Sequence, residues 1–196
     1  MKNKNTFNIL TFAALSIVPL MLTCSCAKKY MPARYLSSQD TLGEINLQSS
    51  MKVYLCPTID SLPKSCRNML NKKFTPYEYV TDAIEKELLA SGITPERVSF
   101  DTGPGFDSLQ TVIKEKSNKS EDAVYLGTEL LWLDRMQLSM DAKVYSPSGE
   151  VVFEKRGICI IYGPLNDPKG KEGNEIAYMT LRQILNDPKF KQVLQK

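Results

Sequence analysis

Some short patterns in this chain contain residue types able to do chemistry. Asp101-Thr102-Gly103 follows an apolar stretch, and two aspartates so placed can share one proton, one then acting as base and the other as acid. Only one copy is present, and Pro104 stands where a small residue is needed, so a second chain would have to supply the other carboxylate. Gly103-Pro104-Gly105 also lies between strand and helix, where a phosphate-cradling loop belongs, but the third glycine is missing. A turn leading into a helix at Asp107 accounts for these residues. Ser61-Leu62-Pro63-Lys64 has the Ser-x-x-Lys spacing in which lysine assists serine attack on an acyl group, without the companion Ser-Asp-Asn and Lys-Thr-Gly motifs.

The chain has no histidine, which removes the commonest general base near neutral pH and any Ser-His-Asp triad. A zinc site with histidine is excluded on the same ground. Beyond Cys26, the cysteines Cys56, Cys66 and Cys159 are too few for a four-cysteine site. They read as buried free thiols, although an exported chain could also form a disulfide. No cofactor and no metal is expected.

The remaining chemistry is done to the chain rather than by it. Lys2 and Lys4 precede a run from Phe7 to Leu22 that has no charged residue, which is the layout of a signal peptide. Pro19 interrupts that run, and it falls short of the roughly 18 apolar residues of a membrane-spanning helix. Leu22-Thr23-Cys24-Ser25-Cys26 then resembles the lipobox of bacterial lipoproteins, in which a small residue precedes the cysteine that receives a diacylglyceryl group. Ser25 fits that position and Thr23 does not, so Cys26 is the expected acceptor and residues 1–25 the cleaved signal. The resemblance implies a multiply acylated anchor. A single chain would hold only reversibly, at about 0.8 kcal/mol per buried methylene. Ala27-Lys28-Lys29 has no acid to favour inner-membrane retention or surface export, which implies the outer membrane and a periplasm-facing domain. Lys28 and Lys29 can meet anionic head groups.

Without residues 1–25, 23 bases face 22 acids over 171 residues. This near-neutral balance, with no block of like charge, argues against a nucleic-acid partner. Hydrophobic content of 42% suits one globular domain with a tether. Residues 26–50, polar and with few large apolar side chains, read as the lipidated tether, and 51–196 as a single domain. Asp40-Thr41-Leu42 in the tether resembles the Asp-(Ser/Thr)-aliphatic O-glycosylation signal of one bacterial phylum. Thr41 is thus a possible sugar acceptor that an intact mass would check.

The pattern predicts a strand over Met51–Pro57, with a long connection or irregular helix over 58–73. Thr75-Pro76-Tyr77-Glu78 predicts a capped helix, Thr75 and Glu78 forming a capping box and Gly92 the stop. A strand over 97–100 and a helix over 107–116, with Leu109, Val112 and Ile113 inward, follow. The apolar run Ala123–Leu133 predicts the longest strand. The period-2 stretch 138–145, and 151–162 with a break at Gly157, complete an antiparallel meander. A helix over 174–185 and a short turn from Asp187 close the chain. Tyr30, Tyr35, Tyr77 and Tyr79 are candidates for a partner surface, or for the core.

The expected fold is an α/β sandwich of two or three layers, with a mixed sheet, a C-terminal antiparallel meander and about three helices. VYLCP, the capped helix, EDAVYLGTELLW and MQLSMDAKVYSPSGEVVFEKR together resemble the small envelope lipoproteins related to the curli-assembly lipoprotein and the TolB amino-terminal domain. That resemblance implies a non-catalytic accessory or scaffold in an envelope assembly or secretion system, with a protein partner and, in some members, a homo-oligomer. The alternatives are an envelope small-ligand binder and a hydrolase using Asp101.

Overall fold

A computed structural model describes residues 29–30, 47, 49–100, 105–117, 122–160 and 171–195. The order is β1 (Lys52–Leu55), β2 (Ile59–Asp60), α1 (Lys64–Met69), α2 (Pro76–Ala90), β3 (Glu96–Arg97), α3 (Phe106–Lys116), β4 (Ala123–Leu133), β5 (Gln137–Tyr145), β6 (Val151–Ile160), α4 (Lys171–Leu185) and α5 (Pro188–Leu194). All strands join one mixed sheet in the order β3-β1-β4-β5-β6, with β2 also paired to β4. The pairs β1/β3, β1/β4 and β2/β4 are parallel, whereas β4-β5-β6 is an antiparallel meander.

β4 organises the sheet because its apolar run can be covered on both faces. One of its edges is shared by two short strands. β1 pairs with residues 123–126, and after Pro57, which has no N–H to give, β2 resumes the ladder at Glu129 and Leu130. On one face Val53, Leu55, Val124, Leu126, Leu138, Met140, Ala142 and Val144 pack with the apolar sides of α2, α4 and α5. On the other, α3 seals Tyr54, Cys56, Ala123, Tyr125 and Tyr145 with Phe106, Leu109 and Ile113. The sandwich therefore has three layers over β1 and β4. The outer face of β6 remains exposed.

Among the described residues the helices number five, where about three are expected. α1 occupies the expected connection and α5 the expected turn, where Asp187 accepts a hydrogen bond from the Lys189 N–H and Pro188 opens the helix. α2 begins after Thr75 as the sequence predicts, but the Thr75 side chain makes no capping bond, so the capping box is not formed. Its end is a Schellman motif: Gly92 takes φ 93°, its N–H donates to the Leu89 carbonyl, and the Ile93 N–H donates to Leu88. β3 is shorter than expected, and Val112 is only partly buried.

β6 runs unbroken through Gly157, whose lack of a side chain serves packing instead. A Cβ there would lie 2.8 Å from the Thr180 carbonyl oxygen of α4. Tyr30 and Leu47 lie within the expected tether, yet both are buried in the larger core. The Tyr30 N–H donates to the Met69 carbonyl at 3.0 Å, and the Asn71 N–H donates back to Tyr30 at 2.8 Å. The fold thus reaches back to Tyr30.

Candidate functional site

Cys26, Thr41 and Asp101, the residues singled out for lipidation, glycosylation and acid-base work, lie outside the described residues, as does Tyr35. Ser61 and Lys64 are described. Ser61 donates its hydroxyl to Glu129 at 2.5 Å, and Lys64 opens α1, so the serine's partner is a carboxylate on β4 rather than the lysine. Cys56, Cys66 and Cys159 are buried and free. Burial pushes the Cys56 thiol up to about 12 and also raises Cys66 and Cys159, which opposes formation of the reactive thiolate. Among the described residues no cluster of three or more Cys, Asp or Glu side chains could hold a metal ion, and no helix is long and apolar enough to cross a membrane.

Two surfaces remain. The first is a crevice beyond the carboxyl ends of β1 and β3, where open parallel sheets commonly bind ligands. It holds about 150 Å³ and is lined by Leu55, Pro57, Tyr77, Glu78, Thr81, Arg97 and Val98. Beneath it Thr58, Thr81 and Thr128 satisfy one another: Thr81 donates to the Thr58 hydroxyl at 2.8 Å, and Thr58 and Thr128 share a bond of 2.9 Å. Arg97 at the rim is committed to α2. It bonds to Glu85 and, at 2.8 Å, to Asp82, and these carboxylates raise its already high pKa. The base that would recognise an anion is therefore neutralised locally.

The second surface is formed by β5 and β6. Register sets Asp141 opposite Arg156 and Lys143 opposite Glu154 on the outer face. Arg156 grips Asp141 with two bonds of 2.6 and 2.7 Å, and Lys143 stands 3.4 Å from Glu154, beside a hollow of about 550 Å³. These are cross-strand ion pairs on an exposed face, which contribute little to stability but favour this register. Beyond them the face turns apolar. Ile158 and Ile160 are 41% and 42% exposed, and Trp132 is half-buried in the row that Ser139 shares with Ile158. Asp134 builds the adjoining turn, accepting from the Trp132 indole and from the Met136 and Gln137 N–H groups.

β6 also ends the sheet among the described residues. The Ile158 N–H and carbonyl both bond to the Gln183 side chain on α4, so they point away from β5. By the two-residue repeat, Glu154, Arg156 and Ile160 turn their backbone groups outward as well. An edge with exposed Val151, Val152, Ile158 and Ile160 is a template for another strand. Register pairing and the 158–183 contact cannot be read from periodicity. The signal available in the sequence was Ile158 and Ile160 on the polar phase of an alternating strand. Of the tyrosines considered for a partner surface, Tyr77 is exposed, whereas Tyr30 and Tyr79 are buried.

No family profile matches this sequence, and no curated protein matches it. Among solved structures it is similar to a neuraminyllactose-binding hemagglutinin homologue from Helicobacter pylori, with 11% identity over 76% of this chain and 92% of that chain, at a TM-score of 0.41.

Proposed function

We propose that this chain is a lipoprotein anchored at Cys26 in the outer membrane, facing the periplasm, and that it serves as a non-catalytic accessory or scaffold in an envelope assembly. It binds a partner polypeptide by strand addition at β6. The observation that carries this reading is the outward-facing edge of β6, with Val152, Ile158 and Ile160 exposed beside it. Main-chain pairing at such an edge supplies affinity, and the side chains of alternate residues supply selectivity. The matching partner presents an extended segment with apolar residues toward Ile158 and Ile160.

A photocrosslinking residue at Ile158 or Ile160, introduced in intact cells, should give one discrete product. Glu154→Pro removes an N–H that faces away from β5, which an edge strand tolerates, and should abolish that product. An unchanged product in the proline variant, or equal crosslinking from Lys116 on α3, would rule out strand addition. A second reading, an envelope small-ligand binder, rests on the crevice beside Tyr77 and Arg97. A bound small molecule lost in Thr81→Trp but kept in Glu154→Pro would favour it.

A further inference from the structure

Two basic stretches far apart in the sequence meet in the fold. The backbone bonds of Tyr30 to Met69 and Asn71 set exposed Lys29 beside the end of α1. From Ser61 to Tyr77 the chain has no acid, and its four bases, Lys64, Arg67, Lys72 and Lys73, are all exposed. Arg67 is paired with Asp60 at 2.9 Å; among the described residues no acid is paired with Lys29, Lys64, Lys72 or Lys73. Met69 stands among them, 42% exposed. Cys26 precedes Tyr30 by four residues, and a chain of that length spans at most about 14 Å.

We infer that this surface, made of Lys29, Lys64, Lys72, Lys73 and Met69, lies against the anionic leaflet in which the chain is anchored. The inference rests on the lipidation of Cys26 proposed above. Given that anchor, the short connection brings the surface within reach of the head groups. Its lysines then meet lipid charge of opposite sign, while Met69 reaches the boundary between head groups and acyl chains. Each lysine strengthens such contact about fivefold, and salt weakens it.

The mature protein, added from detergent to vesicles of phosphatidylcholine alone or mixed with phosphatidylglycerol, is labelled with a membrane-impermeant amine reagent. One digest reports both the lipid on Cys26 and the labelling of each lysine. Lys64, Lys72 and Lys73 should label about fivefold or more slowly on the anionic vesicles than in detergent, with Lys116 and Lys189 unchanged. Lys72→Glu combined with Lys73→Glu should return Lys64 to its detergent rate. Lipid on Cys26 with equal labelling in both settings would overturn the inference and leave the anchor standing. An unlipidated Cys26 would overturn both.

Discussion

Gln183 on α4 pairs with Ile158 on β6 as a neighbouring strand would. Its amide nitrogen donates to the Ile158 carbonyl at 2.6 Å, and its amide oxygen accepts the Ile158 N–H at 3.0 Å. One side chain thus occupies one rung of an edge that is otherwise unpaired among the described residues. This is a local form of the edge protection by which sheets avoid unspecific pairing.

Replacing Gln183 with Ala should therefore act in two directions. Losing two exposed hydrogen bonds costs about 1 kcal/mol, or a fall of about 2–4 °C in Tm for a chain of this size. The uncovered rung at Ile158 should meanwhile increase strand pairing, seen as a larger species by light scattering and as stronger crosslinking at Ile160. A lower Tm with strictly monomeric behaviour would remove Gln183 as a guard of the edge.

Gly157 and Gly127 make a controlled pair. Alanine at Gly157 would drive its Cβ to 2.8 Å from the Thr180 carbonyl oxygen and 2.9 Å from Thr180 Cγ2, so α4 itself must move. Overpacking of this kind costs about 1–3 kcal/mol. Alanine at Gly127 meets Leu109 Cδ2 at 2.4 Å, a side-chain atom and not a helix backbone. Denaturant unfolding should rank Gly157→Ala as the less stable variant.

Asp187 ties α5 to β6. The Lys155 ammonium at 2.8 Å and the Lys189 N–H at 2.9 Å hold its carboxyl below the ordinary carboxylate value. A depressed folded-state pKa means that the stabilisation is complete above the unfolded value, near about 4, and is lost as pH falls below it. Asp187→Ala should lower stability by about 1 kcal/mol at neutral pH, as loss of a helix cap does. Thermal melts across the acid range should show the two proteins converging below about pH 4. A constant gap down to acid pH would mean that the carboxylate's charge has no part in it.

The thiols give a count that reads processing directly. In the native protein Cys56, Cys66 and Cys159 should resist a polar disulfide reagent at mildly alkaline pH, because each is buried and has its pKa raised. If the chain is processed as proposed, so that Cys24 leaves with the signal and the sulfur of Cys26 is alkylated, denaturant should release three reactive thiols. Five would mean an unprocessed, unlipidated chain.

What the sequence foretold followed from local rules. The limits of β4 came from a long, mostly apolar run, the start of α2 from Thr75-Pro76, and its end from Gly92, whose positive φ the helix stop requires. What it withheld depends on distant partners. β2 is two residues long and exists because β4 has a free edge beyond Pro57. Tyr30 and Leu47 lie in a stretch with few large apolar residues, where only the brief alternation Glu44-Ile45-Asn46-Leu47 hints at order, and the groove that receives them makes them core. Gly157 looked like a break because glycine weakens strands, whereas here it admits a helix backbone. The edge of β6 and the lysine surface beside Tyr30 arise from strand order and a long-range backbone bridge, neither of which a linear pattern encodes.

The Tyr30 bridge also bears on how such a protein would find other molecules. If Cys26 is lipidated as proposed, only four residues separate the anchor from Tyr30, a span of at most about 14 Å. So anchored, the domain could not probe far from its attachment point. Its search would then be confined to a plane, and the quantity setting its encounter rate would be the number of partners per unit area of membrane, not their concentration in the surrounding volume.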